Sequence, residues 1–242
     1  MELPLWNEKR YAPYKVAALV EVLAEQGIAP EASLSGTGLS PESLSDPDTR
    51  TSVLQYITVV RNALQLSKTP ETPFRTGSRI PLSAYGMYGF ALVSSPTIRE
   101  YFQVAIKYHR LATPLLAMSW REEGDFVSWI FPMNAAVTYP DSLLRFLVEQ
   151  QLTQLSTHLR AVVENDSYLP VRAALSYSAP DHTHLYKRLR LPRLGPRFSI
   201  STPEAARMAG PREIRRNSGR FVLFWQNVRA RSSISRLAAV PI

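Results

Sequence analysis

The chain has 242 residues, 45% of them hydrophobic and 20% charged, which is enough to bury a substantial core as one ordinary domain or two small ones. With no cysteine, it can form no disulfide, thiolate metal site or cysteine nucleophile. The net charge of +8 is unevenly spread: from Tyr186 onward twelve arginines and one lysine face Glu204 and Glu213, giving +11 there and −3 elsewhere.

The opening MELPLWNEKRYAP has no basic stretch leading into an apolar run, and no apolar run approaches the ~18 residues of a membrane span. A cytoplasmic protein without membrane contact is therefore expected. Tyr14 to Gln26 reads as a first helix, with Val16, Leu19, Val20 and Leu23 inward and Gly27 as its stop. Residues 28–50, rich in Pro, Ser, Gly and Asp, form a connection with room for one short helical turn. Asp48 or Thr49 then opens a second helix to about Ser67. Lys68 to Arg79, with two prolines and a glycine, is expected to be a loop.

Ser83 to Leu111 reads as a Gly-punctuated turn, a short extended segment from Tyr88, a sharp start at Ser94–Ser95–Pro96 and an amphipathic helix. Ser95 can cap free N–H groups and Pro96 suits the first helical position, while Thr97 with Glu100 offers a competing capping-box register. Ile98, Tyr101, Phe102, Ala105, Ile106 and His109 then share one helix face. Leu115–Arg121 and Phe126–Met133 form a hairpin signature around Glu122–Asp125. Asp141 opens a long helix carrying Leu144, Val148, Leu152, Leu155, Leu159 and Val162, and Leu169–Tyr177 reads as one more strand.

From Tyr88 the order is thus β-α-β-β-α-β, the split βαβ string, which predicts an α+β fold with helices on one face of a mostly antiparallel sheet. Residues 1–80 become a helical N-terminal subdomain packed on that sheet, 81–189 the α+β domain, and 190–242 a basic, mostly irregular tail with one short helix or strand near 219–230.

Chemistry is sparse. There is no GxxxxGK[ST], no GxGxxG and no GxSxG, and no serine has a recognisable neighbouring base, so an enzyme is not expected. Asp181–His182–Thr183–His184 invites a metal, but a tight cluster in a Pro-flanked loop is ordinarily solvated, and neither metal nor cofactor is expected. The aromatics Tyr85, Tyr88, Phe90, Tyr101, Phe102, Tyr108, Trp120, Trp129 and Phe131 come from elements adjoining one sheet. They serve either as plain core or as the wall of a small-ligand pocket. Tyr88, Tyr108, His109, Trp120 and Trp129 are the candidate ligand-binding residues.

The segments LAEQGIAPEASL, LSDPDTRTSVLQYITVVRNALQL and above all YGMYGFALVSSPTIREYFQVAIKYHRL resemble the N-terminal, non-cupin "arabinose-binding" domain of AraC-type transcriptional regulators, over about residues 10–188. The resemblance rests on Tyr88–Gly89–Phe90–Ala91–Leu92, then Ser94, Ser95, Pro96, Thr97 and Arg99, then Tyr108, His109, Arg110 and Leu111. It implies the effector-sensing and dimerising half of a one-component regulator, with a small-molecule effector. DNA contact would be left to a C-terminal double helix-turn-helix. The long helix 141–164, with Gln150, Gln151, Gln154 and His158 on its polar side, is the expected homodimer interface.

Two departures stand out. Thr69–Pro70–Glu71–Thr72–Pro73–Phe74 replaces the family's usual "dPaLGLrlG" loop, and Pro/Arg/Ser-rich text follows Arg190 where a strand, linker and DNA-binding module would continue. The first expectation is a truncated or frame-shifted end near residue 190, with the DNA-binding half missing. The alternative is a stand-alone nucleic-acid-binding protein whose tail uses Arg207, Arg212, Arg215, Arg216, Arg220, Arg229 and Arg231 on phosphates.

Overall fold

The computed structural model describes residues 6–112, 115–116, 118–123, 126–132, 139–164, 172–175, 177, 179–188, 193–195, 199–201 and 220–226. The helices are α1 Tyr14–Ala24, α2 Pro30–Leu34, α3 Val53–Leu66, α4 Thr72–Ser78, α5 Met87–Val93, α6 Ile98–Tyr108, α7 Asp141–Val163 and α8 Thr183–Arg188. The strands are β1 Ser119–Glu123, β2 Phe126–Pro132, β3 Arg172–Ala174, β4 Arg193–Gly195, β5 Ser199–Ser201 and β6 Arg220–Gln226. Short 3-10 turns occupy Glu42–Ser45, Leu82–Tyr85 and His109–Leu111. Helices and an antiparallel sheet together make an α+β fold. The chain divides into two units, Met1–Ala84 with Tyr139–Thr157 and Tyr85–Thr138 with His158–Ile242.

In the first unit α1 buries Val16, Leu19, Val20 and Leu23, as its spacing requires, and Gly27 ends it with φ 78°. Helix α3 begins at Val53, later than expected. The preceding residues are held extended by an antiparallel bridge, in which Thr51 N donates to Tyr11 O at 2.6 Å and Tyr11 N to Thr51 O at 3.0 Å. Ser52 then caps the helix: its hydroxyl accepts from Gln55 N at 3.1 Å, and Gln55 Oε1 accepts from Ser52 N at 2.9 Å.

The expected loop at 68–79 instead contains helix α4. Pro73 sits in its first turn, where a missing N–H costs nothing, and Phe74 is fully buried. Gln26 ties the neighbouring ends together, donating to Thr72 Oγ1 at 2.8 Å and accepting from Lys68 N at 2.9 Å.

Helix α7 has 23 residues, and its part up to Thr157 belongs to this unit. The glutamines and histidine of its expected polar side are not at the surface. Gln150, Gln151 and Gln154 are buried, Gln150 accepts a hydrogen bond from the Tyr56 hydroxyl, and His158 further along is buried as well. Gly77 lets α4 press backbone to backbone on α7: a Cβ there would overlap the Gln150 carbonyl oxygen and lie 3.0 Å from Gln154 N. The polar side of this helix, expected to face a second subunit, is thus covered by the chain itself. Amide groups with internal partners are as well suited to a core as to an interface.

Burial pulls the Lys15 ammonium of α1 down to about 7. The unfolded chain, with an ordinary lysine, therefore holds the extra proton between pH ~7 and ~10, and stability rises with pH across that window. Lys15→Met is expected to stabilise the protein by on the order of 1–2 kcal/mol below pH 7, the residue's partial exposure having been discounted. The gain should fade toward pH 10; urea titrations of both proteins at pH 6 and pH 9.5 measure it.

In the second unit the stretch before Ser94, expected to be extended, is helix α5. Gly86, at φ 57°, opens it, and Tyr88 and Leu92, one turn apart, are buried. Among the described residues no strand precedes α6, so the β-α-β-β-α-β order is not what this unit shows. Helix α6 takes the Thr97 register: Thr97 Oγ1 accepts from Glu100 N at 3.2 Å, while Ser95 Oγ donates to Ala91 O at 3.0 Å instead of capping.

The described strands form one sheet in the order β1-β2-β6-β3-β5-β4, each pair antiparallel. In the tail expected to be mostly irregular, β6 falls where one short helix or strand is expected near 219–230, β4 and β5 are further strands of the sheet, and β6 lies between β2 and β3. The register gives the reason. One row across the sheet runs Trp120, Trp129, Leu223, Ala173, Ile200 and Leu194, and the next runs Arg121, Ser128, Phe224, Arg172, Ser201 and Arg193. The first row is apolar and the second is polar apart from Phe224, while β6 itself is apolar without a break from Phe221 to Trp225, the pattern of a strand with neighbours on both sides. Among the described residues no helix is long and apolar enough to cross a membrane.

Candidate functional site

The expected ligand-binding residues fall into two groups, both in the second unit. Trp120 and Trp129 are brought together by the hairpin register, which sets them directly opposite one another on β1 and β2. Phe102 of α6 meets both, its ring centroid 5.4 Å from Trp120 and 5.0 Å from Trp129, the latter edge to face. Phe131, two residues along β2, lies nearly parallel to Trp129 at 6.0 Å, and Tyr101 packs on Phe102 at 5.7 Å. Trp129 is 1% exposed, and among the described residues its indole Nε1–H has no hydrogen-bond acceptor. A buried donor left unmatched costs about 1–3 kcal/mol.

The second group gathers around α5. Tyr88 stacks on Tyr85 at 5.4 Å and 17°, and meets Tyr108 at an angle at 6.5 Å. Its hydroxyl donates to Ala105 O at 3.0 Å, and burial pushes the phenols of both Tyr88 and Tyr101 well above the ordinary tyrosine range. Tyr85 also meets the His158 ring edge-on at 5.4 Å. Tyr108 is exposed and carries Lys107 Nζ over its ring at 5.2 Å. His109 Nδ1 lies 2.7 Å from Ile106 O, and burial lowers its pKa. Tyr88 and Tyr108 therefore belong with Tyr85, and Trp120 and Trp129 with Phe102.

The position of Phe102 between the two tryptophans was not singled out from sequence. Its helical spacing marks only an inward face, and the partner on that face depends on the register of a hairpin further along. Of the arginines proposed for nucleic acid, Arg220 opens β6, while Arg207, Arg212, Arg215, Arg216, Arg229 and Arg231 lie outside the described residues. At the Asp181–His184 cluster His182 stacks on Tyr186 at 6.1 Å, and among the described residues no three metal-ligating side chains converge.

The aromatic cluster offers ring faces and two indole donors, of which that of Trp129 is unmatched among the described residues, with no carboxylate among its members. It belongs to the α+β second unit. Residues 27–194 match the arabinose-binding domain of AraC transcription regulators, N-terminal, and the chain belongs to that family.

An uncharacterized HTH-type transcriptional regulator of Mycobacterium tuberculosis and another of Mycobacterium bovis are each 35% identical over 124 residues, covering 51% of this chain and 36% of theirs. The ornithine utilization regulator of Pseudomonas aeruginosa is 25% identical over 187 residues, 77% of this chain and 54% of that protein. The crystal structure of the transcriptional regulator CdpR from Pseudomonas aeruginosa shares the fold, with TM-score 0.53 and 18% identity over 88% of this chain and 55% of that one. This chain thus spans between about a third and about half of the length of these relatives.

Proposed function

We propose that the chain is the effector-sensing and dimerising part of an AraC-type regulator, acting in the cytoplasm and turning over no substrate. The family match across 27–194 carries this reading. It is supported by an aromatic cluster whose buried indole donor lacks a partner among the described residues. A ligand that prefers one arrangement of α6 and the sheet shifts the population toward it, and the dimer transmits the shift.

Because the Gln face of α7 is buried, the dimer surface has to lie elsewhere. Sedimentation at tens of micromolar is expected to show a dimer. An effector at a hundred times its dissociation constant should stabilise the fold by about 2.7 kcal/mol, read as a thermal shift. A monomer that no compound of a broad metabolite panel stabilises would refute the proposal.

The end of the match at residue 194, beside the composition change near 190, supports a change of reading frame there. The place of β6 within the sheet argues for a native segment instead. Translating the neighbouring frames beyond codon 190 decides: family-like text ending in a helix-turn-helix upholds the frame change, and its absence removes it.

A further inference from the structure

We infer that a second copy of this chain docks on the exposed side of α5 and α6, the two α6 helices crossing antiparallel about a two-fold axis so that Glu100 of each faces Lys107 of the other. This rests on the dimerising reading above and names the surface which that reading leaves open. The starting point is where the second unit shows apolar surface. Among the described residues the three most exposed large hydrophobic side chains are Met87 at 82%, Phe90 at 66% and Leu111 at 63%, and Tyr108 is 40% exposed.

Helix α6 has two faces with different uses. Ile98, Tyr101, Phe102 and Ala105 are buried and carry the aromatic cluster. On the opposite side Glu100, Val104, Lys107 and, in the turn after the helix, Leu111 follow at spacings of four, three and four, the repeat of a helix that meets another helix. Helix α5 lies along the Tyr108 flank of this stripe, because the Tyr88 hydroxyl donates to Ala105 O and its ring meets Tyr108 at 6.5 Å. Met87 and Phe90, on the exposed side of α5, extend the apolar surface. At ~200 Å² for a large apolar side chain, the four exposed ones present roughly 500 Å². That is more than singly scattered surface residues offer, and the greater part of the ~800 Å² that a stable partner covers.

The charges select the occupant. Glu100 and Lys107 are both exposed, and among the described residues neither is in an ion pair. They stand seven residues apart on one helix, about 10 Å, too far to meet. No position one turn from either carries the opposite charge. A two-fold axis between Gln103 and Val104 matches them: Glu100 faces Lys107, Leu111 faces the exposed Pro96, Arg99 faces the Tyr108 ring, and Arg110 faces the uncharged Thr97. No like charges meet, and the same patch serves both copies, as a two-fold interface requires. An anionic lipid surface or a uniformly charged partner would instead set Glu100 or Lys107 against its own sign. Because α6 carries Phe102 inward and this stripe outward, a shift of the aromatic cluster reaches the dimer through one rigid helix.

The test is sedimentation equilibrium of the full chain and of charge reversals in it. Glu100→Lys and Lys107→Glu each set like charges across the axis twice per dimer, and each should weaken dimerisation about a hundredfold. An equimolar mixture of the two variants restores opposite charges at both crossings and should recover a dimer of wild-type strength. Leu111→Asp should weaken the dimer comparably, whereas Leu54→Asp, at an exposed leucine of the first unit, should not. In dilute solution, where the copies are apart, all four variants should melt within about 4 °C of wild type, since these side chains are exposed in the single chain.

If a reversal does not fold, cysteines carry the test, in a chain that has none of its own. Glu100→Cys and Lys107→Cys proteins, mixed and oxidised, should give about tenfold more disulfide-linked dimer than either alone, since only the mixture sets thiol against thiol within bonding reach. A wild-type dimer that both reversals leave intact, a mixture of reversals that stays monomeric, or equal cross-linking overturns the inference while the effector-sensing reading stands. A wild-type chain that is monomeric overturns it too, and if no compound stabilises that monomer the effector-sensing reading falls with it.

Discussion

Gly77→Ala is expected to destabilise the first unit by about 3 kcal/mol, although the same change in most helices is favourable. Within a helix alanine is worth roughly 1 kcal/mol more than glycine, because it loses less backbone entropy. At Gly77 the added Cβ has no room: it would overlap the Gln150 carbonyl oxygen and press on Gln154 N, both backbone atoms of α7. Backbone cannot rotate out of the way as a side-chain tip can, so α4 must lift off α7. That movement also pulls at the buried Phe74 and Thr76 just before it. Overpacking of this kind costs about 1–3 kcal/mol and sometimes more, which outweighs the propensity gain. Urea unfolding read by far-ultraviolet circular dichroism measures the difference. Equal or greater stability in the variant would show that the two helices do not pack this closely.

Phe102→Ala should cost about 4 kcal/mol, at the upper end for loss of a buried aromatic, since its ring is fully buried and touches three other aromatic residues. Its neighbours are Trp120, Trp129 and Tyr101. Their packing is fixed by strand register and helix position, so they cannot readily close the gap. The near-ultraviolet dichroism of the tryptophans should drop with the loss of stability, while helix content at low temperature is kept. Phe90→Ala is the control: Phe90 is 66% exposed, and its loss should stay within about 0.5 kcal/mol. A Phe102→Ala protein as stable as wild type would mean that the cluster is looser than its ring geometry indicates.

The long periodic elements could be read directly from the amino-acid order. Helices α1 and α7 and the hairpin repeat their apolar residues at helix or strand spacing, and each lies within a few residues of its expected place. Helices α4 and α5 could not be read in this way. Each is seven residues long and carries a glycine, and α4 also has a proline in its first turn, so local propensity is weak. They form because Phe74 and Gly77 on one, and Tyr88 and Leu92 on the other, find partners distant in sequence.

The aromatic site was half visible for a related reason. Composition picked out Trp120, Trp129, Tyr88 and Tyr108, but their division into two groups follows from hairpin register and from the helical turn at Tyr88. The buried amides of α7 misled most. A helix side with Gln150, Gln151 and Gln154 looks solvated or intermolecular in sequence, and only the positions of Tyr56 and α4 show that it is internal.

The first unit is assembled from two separate lengths of chain, residues 1–84 and 139–157. On the ribosome its early helices therefore emerge long before the segment that covers them. Gly77 and Tyr56 must remain without their α7 partners while more than fifty intervening residues are made. Such a nascent chain exposes an apolar seam for seconds at ordinary elongation rates, during which it is open to wrong contacts.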